Sequence, residues 1–119
     1  MIDRIKLTAA AKNQLITIKR RTGIDHYNSI CRHALCISLS GSSELVVEKL
    51  NFSGGLEIDW NTLTGGHEDL YINIVRASLK DKNMTGDALR ETVIAHIHRG
   101  LSYMFSKPDH ELFSLSSFR

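Results

Sequence analysis

The sequence is short of residues that break or cross-link a chain, with one proline, two cysteines and eight glycines in 119 residues. So little proline and glycine argues against a disordered or low-complexity protein. Two cysteines are too few for a disulfide scaffold. Cys31 and Cys36 stand five positions apart on an expected helix, a spacing that points them to different faces and disfavours a bond between them. Long apolar runs are missing too, so nothing is expected to span a bilayer and no membrane partner is expected. Met1 is followed at once by Asp3, Arg4 and Lys6, without the hydrophobic stretch of a secretory signal. Together with two free thiols, this predicts a cytoplasmic setting.

Acidic residues are scarce at one end. In residues 1–35 only Asp3 and Asp25 oppose seven cations, Arg4, Lys6, Lys12, Lys19, Arg20, Arg21 and Arg32, a local charge of +5. The remainder carries eight basic and eleven acidic residues, a charge of −3, so the formal net charge of +2 hides a strong asymmetry. Such asymmetry predicts an anionic partner met by one end of the molecule. A chain of 119 residues, 42% apolar and 24% charged, is expected to form a single globular domain over residues 1–119.

The opening I-D-R-I-K-L reads as a short or edge strand. Thr8 can cap a helix over residues 9–22, because Leu7, Ala11, Leu15, Ile18 and Thr22 recur at three- and four-residue steps. Gly23 suits the left-handed position that ends helices. Asp25 or Asn28 can cap a second helix running to about Leu39, apolar on more than one side. Residues 44–52 and 56–60 alternate around Ser53-Gly54-Gly55 and predict a β-hairpin. A third helix is expected over residues 67–82, with Glu68 and Asp69 in its first turn and Lys80 and Lys82 in its last. A fourth follows from Asn83 or Thr85 to about Phe105, with Leu89, Val93, Ile97, Gly100, Leu101 and Met104 as its packing stripe. Pro108 bars its continuation, and the serine-rich tail over residues 111–119 either stays loose or docks by Leu112, Phe113, Leu115 and Phe118. The expected fold is mainly α (α+β), a strand–helix–turn–helix opening, a short hairpin and two long helices in a compact bundle.

On a helical wheel Lys12 and Lys19 fall side by side at the edge of the first apolar stripe, with Arg20 farther round and Arg21 on the opposite flank. Cations placed so can track a phosphate backbone. The bland alternative is that Lys19, Arg20 and Arg21 merely close a helix, where the dipole favours cations without any partner. A basic strand ahead of two helices also resembles the ribbon–helix–helix arrangement.

Searches for other chemistry fail on spacing. Asp81, Asn83, Thr85 and Asp87 imitate the start of a calcium loop, but Thr92 stands where a bidentate glutamate is required. His96 and His98, two apart on a helix, cannot grip one ion. His96 is expected in a core or interface and His98 on the surface. Neither a serine elbow nor a phosphate-binding glycine loop occurs. No metal, no cofactor and no catalytic residue is expected. Gly100 inside a helix costs about 1 kcal/mol relative to alanine, which predicts close helix–helix approach, while Arg99 beside it reads as either a phosphate ligand or a structural group.

Three segments in order, R-R-T-G-I at residues 20–24, N-S-I-C-R-H-A-L-C-I-S-L at 28–39 and H-I-H-R-G-L at 96–101, resemble the DndE family, small accessory proteins of bacterial DNA phosphorothioation systems. The resemblance covers essentially the whole chain. It implies a part in replacing a non-bridging phosphate oxygen of DNA with sulfur. Partner proteins, among them a cysteine desulfurase, an iron–sulfur protein and an ATPase-like protein, would carry the chemistry. It also implies a homo-oligomeric DNA binder, with a tetramer expected, acting on duplex DNA, nicked duplex included. The DNA-binding residues expected from the charge pattern are Arg4, Lys6, Lys12, Lys19, Arg20, Arg21 and Arg32. Two other readings stay open: a transcriptional regulator of the same operon, or a sulfur-handling enzyme subunit using Cys31 or Cys36.

Overall fold

The fold is seen in a computed structural model that describes residues 2–108. The tail expectations for residues 111–119 lie outside the described residues. The elements in order are β1 (Arg4–Leu7), α1 (Ala9–Thr22), α2 (Tyr27–Ser40), β2 (Leu56–Asp59), α3 (Trp60–Leu63), α4 (Glu68–Ala77) and α5 (Gly86–Ser106). The molecule is mainly helical, with one small antiparallel sheet, as expected.

The opening forms as its sequence predicts. Thr8 Oγ1 accepts the Ala11 N–H at 3.1 Å, and Gly23, at φ 73°, donates its N–H to Lys19 O at 2.9 Å. All five stripe residues, Leu7, Ala11, Leu15, Ile18 and Thr22, are buried. Thr22 is the polar one, and its hydroxyl donates to Ile18 O at 2.8 Å while accepting the Ile24 N–H at 3.2 Å. It therefore carries no unsatisfied group into the core.

Helix α5 is the spine. Its expected stripe is buried throughout, joined by Thr92, Ile94 and His96, and α2, with Ile30, Ala34 and Leu35 buried, lies against it. The contact tightens at Gly100, where an added Cβ would stand 1.9 Å from Ala34 O. The predicted close approach therefore joins two helices of one chain. Lys107 leaves the helix at ψ 146° ahead of Pro108, as the steric rule for residues before proline demands.

The hairpin is corrected. Residues 44–52 form no strand, and β2 pairs antiparallel with β1 in the register Arg4↔Asp59, Ile5↔Ile58, Lys6↔Glu57 and Leu7↔Leu56. The physical reason is burial. β1 offers β2 a core-facing pair, Ile5 and Leu7, whereas the 44–52 run breaks its own alternation and leaves Val46 and Val47 exposed. The glycine turn does form, with Gly55 N–H donating to Phe52 O at 3.1 Å, but it delivers the chain to β1. Gly55 passes so close that a Cβ there would meet Leu7 O at 1.8 Å. Trp60, expected in the strand, instead starts α3, which Asp59 caps by accepting the Thr62 N–H at 3.0 Å.

Other boundaries shift as well. Neither Asp25 nor Asn28 caps α2, whose N-cap is His26 without a side-chain bond. Helix α4 stops at Ala77, five residues before the expected Lys82. Ser78 Oγ takes up Val75 O at 2.6 Å, and tight turns at Ser78 and Leu79 peel the chain away. Lys82 still reaches back to donate to Ala77 O at 2.5 Å, so its charge serves the helix end from outside the helix.

Two histidines bind the bundle in neutral form. His98, expected on the surface, is half-buried; its Nδ1–H faces Ile94 O at 2.8 Å and its Nε2 accepts the Thr8 N–H at 3.1 Å. Those partners define the tautomer. His96 is buried, with Nδ1 at 2.8 Å from Ser38 Oγ. Desolvation first, and the nearby Arg99 charge second, hold its pKa down to about 4. His98 and His33 are also held below the ordinary value, chiefly by desolvation. A histidine pKa lower in the folded than in the unfolded state means that folding favours the neutral ring. Stability should therefore be complete above about pH 6.5 and fall as pH drops from there towards 4. Urea titrations at stepped pH should show a loss of up to about 3 kcal/mol assignable to His96. His96→Gln should flatten that slope; an unchanged slope would mean that other groups produce it.

Candidate nucleic-acid interface

The seven expected cations separate into three groups. Arg4 and Lys6 project from the exposed face of β1, facing Asp59 and Glu57 across the ladder. Lys12, half-buried, and Lys19 and Arg20, exposed, lie on α1. Lys19 Nζ stands 5.0 Å from the Tyr27 ring centroid, a cation–π contact that orients the side chain while leaving its charge at the surface.

Arg21 and Arg32 hold backbone. Arg21 donates from Nη1 to Phe105 O at 3.2 Å and from Nη2 to Lys107 O at 2.6 Å, closing the C-terminal end of α5. Arg32 donates from Nη1 to Leu63 O at 2.9 Å and from Nη2 to Ser29 Oγ at 3.1 Å, with its guanidinium under Gly65. Cations at such ends satisfy carbonyls that a helix leaves unpaired. Among the described residues, no hydrogen bond or ion pair engages the side chains of Arg4, Lys6, Lys12 or Arg20.

Tertiary structure adds two cations that a local reading had no means to find. Lys49, from the segment after α2, and Arg90, from α5, join Arg4 and Lys6 around a cleft of about 260 Å³. Its lining also includes the apolar Leu50, Phe52, Ile94 and Ala95 and the acidic Glu48 and Glu91. Arg90 also pairs with Asp87 at 3.3 Å on the solvent side. These residues come from three distant stretches of chain, so no motif spacing announces the cleft. Around Lys19 the environment differs: Asp25, Glu57 and Asp59 line the neighbouring depression, which suits a phosphate poorly.

Arg99 settles its own ambiguity in favour of structure. It donates from Nε to Ser38 Oγ at 2.8 Å, from Nη2 to Ser38 O at 2.8 Å and from Nη1 to Ser43 O at 2.9 Å. The guanidinium thereby caps α2 and fastens the segment that follows. Since Arg99 gives a proton to Ser38 Oγ, the serine hydroxyl is free to give its own to His96. Ser38 is fully buried and its hydroxyl is already engaged between Arg99 and His96, although the pair borders a cleft of about 520 Å³.

The cysteines are poorly placed for thiolate chemistry. Cys31 is buried and free, and burial pushes its thiol up to about 12 against a smaller opposing effect of Arg32. Cys36 is exposed and free, and its thiol is also raised, by desolvation first. A nucleophilic cysteine needs the opposite shift. Among the described residues, no group of three or more His, Cys, Asp or Glu side chains is placed to hold a metal ion, and no helix is long and apolar enough to cross a membrane.

Comparison with curated protein sequences finds no match. Among solved structures, the crystal structure of DndE from Escherichia coli B7A, a protein involved in DNA phosphorothioation modification, superposes with a TM-score of 0.71. The two share 22% sequence identity, and the match covers 86% of this chain and 95% of that one. At that identity the likeness concerns the fold. The family model for DndE, the DNA sulphur modification protein DndE, matches residues 4–111. The chain therefore belongs to the DndE family of DNA sulphur modification proteins.

Proposed function

We propose that this protein is a non-catalytic DNA-binding accessory subunit of a DNA phosphorothioation system, a single domain acting in the cytoplasm beside the proteins that perform the sulfur chemistry. The carrying observation is the set of cations on β1 and α1 whose side chains form no ion pair among the described residues, in a member of a DNA sulphur modification family. Arg4, Lys6, Lys12 and Arg20 supply the main phosphate contacts, Lys19 contributes less from beside its acid-lined depression, and Arg21 and Arg32 add positive potential from their capping positions. Contacts of this kind read the backbone of duplex DNA, nicked duplex included, without base specificity. Assembly as a homo-oligomer, with a tetramer as the expected size, repeats the basic surface and turns weak contacts into useful affinity. The raised cysteine thiols and the buried Ser38 support a binding role over a catalytic one.

The test is duplex binding over a salt series for wild type and for a Lys12→Ala, Lys19→Ala, Arg20→Ala triple variant. The triple should bind about tenfold or more weakly at low salt, with a slope shallower by up to about three units. Unchanged affinity would move the interface off α1. A wild type that binds no DNA at any salt would end the proposal.

A further inference from the structure

The cleft between β1, the 44–55 segment and α5 has a composition that a pure phosphate-tracking surface does not need. A backbone-tracking surface requires cations spread along a path. Here four cations, Arg4, Lys6, Lys49 and Arg90, line one cleft with two glutamates, Glu48 and Glu91, and the half-buried Phe52 is part of its apolar lining. The side chains of Arg4, Lys6 and Lys49 have no hydrogen-bond or ion-pair partner among the described residues. Their charge is thus available to a ligand. An aromatic ring and unpaired positive charge lining the same cleft match a ligand that is apolar and flat at one end and anionic at the other.

We propose that this cleft holds one unpaired nucleotide unit, with its phosphate among Arg4, Lys6 and Lys49 and its base against Phe52 and Ile94. A base offers a π-face to an aromatic side chain whatever its identity, so such a site tolerates sequence and distinguishes unpaired from paired nucleotides. Glu48 and Glu91 in the lining can accept hydrogen bonds from exocyclic amino groups. The cleft, at about 260 Å³, is small for a ligand site, which favours one unit over several. The 44–55 segment completes the site, being held at one end by Arg99 on Ser43 O and turned at the other by Gly54 and Gly55. The nucleotide can come from a DNA strand, through an unpaired end or flap, or from the free pool. In the first case the proposal rests on the DNA-binding reading; in the second it stands without it.

Two arms separate these sources. In the first, anisotropy compares a blunt duplex with the same duplex bearing a short unpaired thymidine flap. Wild type should prefer the flap by about tenfold, and Phe52→Leu, which keeps an apolar side chain in the lining, should bring the ratio close to one. In the second, amide NMR follows titration with deoxyadenosine monophosphate. Saturable shifts at Leu50, Phe52 and Ala95, abolished by Lys49→Ala, would identify a free nucleotide as the ligand. Success in either arm supports the site and names its source. A flap preference that survives Phe52→Leu, with no saturable shifts at the cleft, would overturn it, as would failure of both arms. Loss of all duplex binding with the NMR response intact would sink the DNA-binding reading and leave the cleft standing.

Discussion

Gly100→Ala should lose about 4 kcal/mol or more of stability, enough to leave much of the protein unfolded. The sign is informative, since replacing glycine by alanine inside an unobstructed helix gains about 1 kcal/mol. Here the new Cβ would stand 1.9 Å from Ala34 O and 2.4 Å from Ala34 C. Both are backbone atoms in the middle of α2, so no side-chain rotation relieves the clash and the two helices must separate. Ala34→Gly cannot rescue the variant for the same reason. Gly66→Ala is the useful comparison, because its Cβ meets nothing within 4 Å and only its φ of 86° is strained; it should cost about 1 kcal/mol. Urea midpoints of the variants decide the matter. Equal losses at positions 66 and 100 would mean that backbone conformation, and not helix contact, governs both.

Arg99→Ala should cost about 3 kcal/mol, the next largest effect. Three charge-assisted bonds end at Ser38 Oγ, Ser38 O and Ser43 O, and each such bond contributes more than a neutral one. Removing the guanidinium also leaves the fully buried Ser38 hydroxyl with its acceptor side unfilled. Arg99→Lys should recover less than half of the loss, since an ammonium lacks the planar fork that reaches all three acceptors. Hydrogen exchange should localise the damage: the amides of the last turn of α2 and of Gly41, beside the lost guanidinium, should exchange faster, while those of α1 keep their protection. Uniform acceleration across the chain would show that Arg99 stabilises the whole fold without fastening this region in particular. Because the segment after α2 carries Lys49 and Phe52, Arg99→Ala should also weaken nucleotide binding at the cleft.

The helices were largely legible in the sequence. Thr8, the five-residue stripe from Leu7 to Thr22, and Gly23 agree on α1, and the structure supplies each expected bond. The α5 stripe and the packing meaning of Gly100 were equally readable, because helical periodicity is a local property carried by residues three and four apart. Strand pairing was not. Alternation identifies residues 56–59 as a strand, but it does not say which other strand supplies the opposite edge. A turn rich in glycine suggested the nearer segment, and the distant β1 won by offering Ile5 and Leu7 to Ile58 and Leu56. The end of α4 was misread because Ser78 drew a carbonyl to its own side chain, a competition that apolar periodicity ignores.

By itself, the sequence determined the helical majority, the basic end and the family resemblance that the match over residues 4–111 bears out. Local spacing and charge suffice for these. What only tertiary structure decided is the use to which each cation is put. Arg21, Arg32 and Arg99 turn towards helix ends because carbonyl oxygens there retain acceptor capacity, whereas the side chains of Arg4 and Lys6 are left free beside Lys49 and Arg90. A charge count sees seven equal cations in the first 35 residues. The fold makes them unequal, since hydrogen-bond partners and cleft walls come from residues up to about ninety positions away. Of the seven cations of the basic segment, Arg21 and Arg32 are engaged in structure, and Arg4 and Lys6 share a cleft with two cations from elsewhere, Lys49 and Arg90.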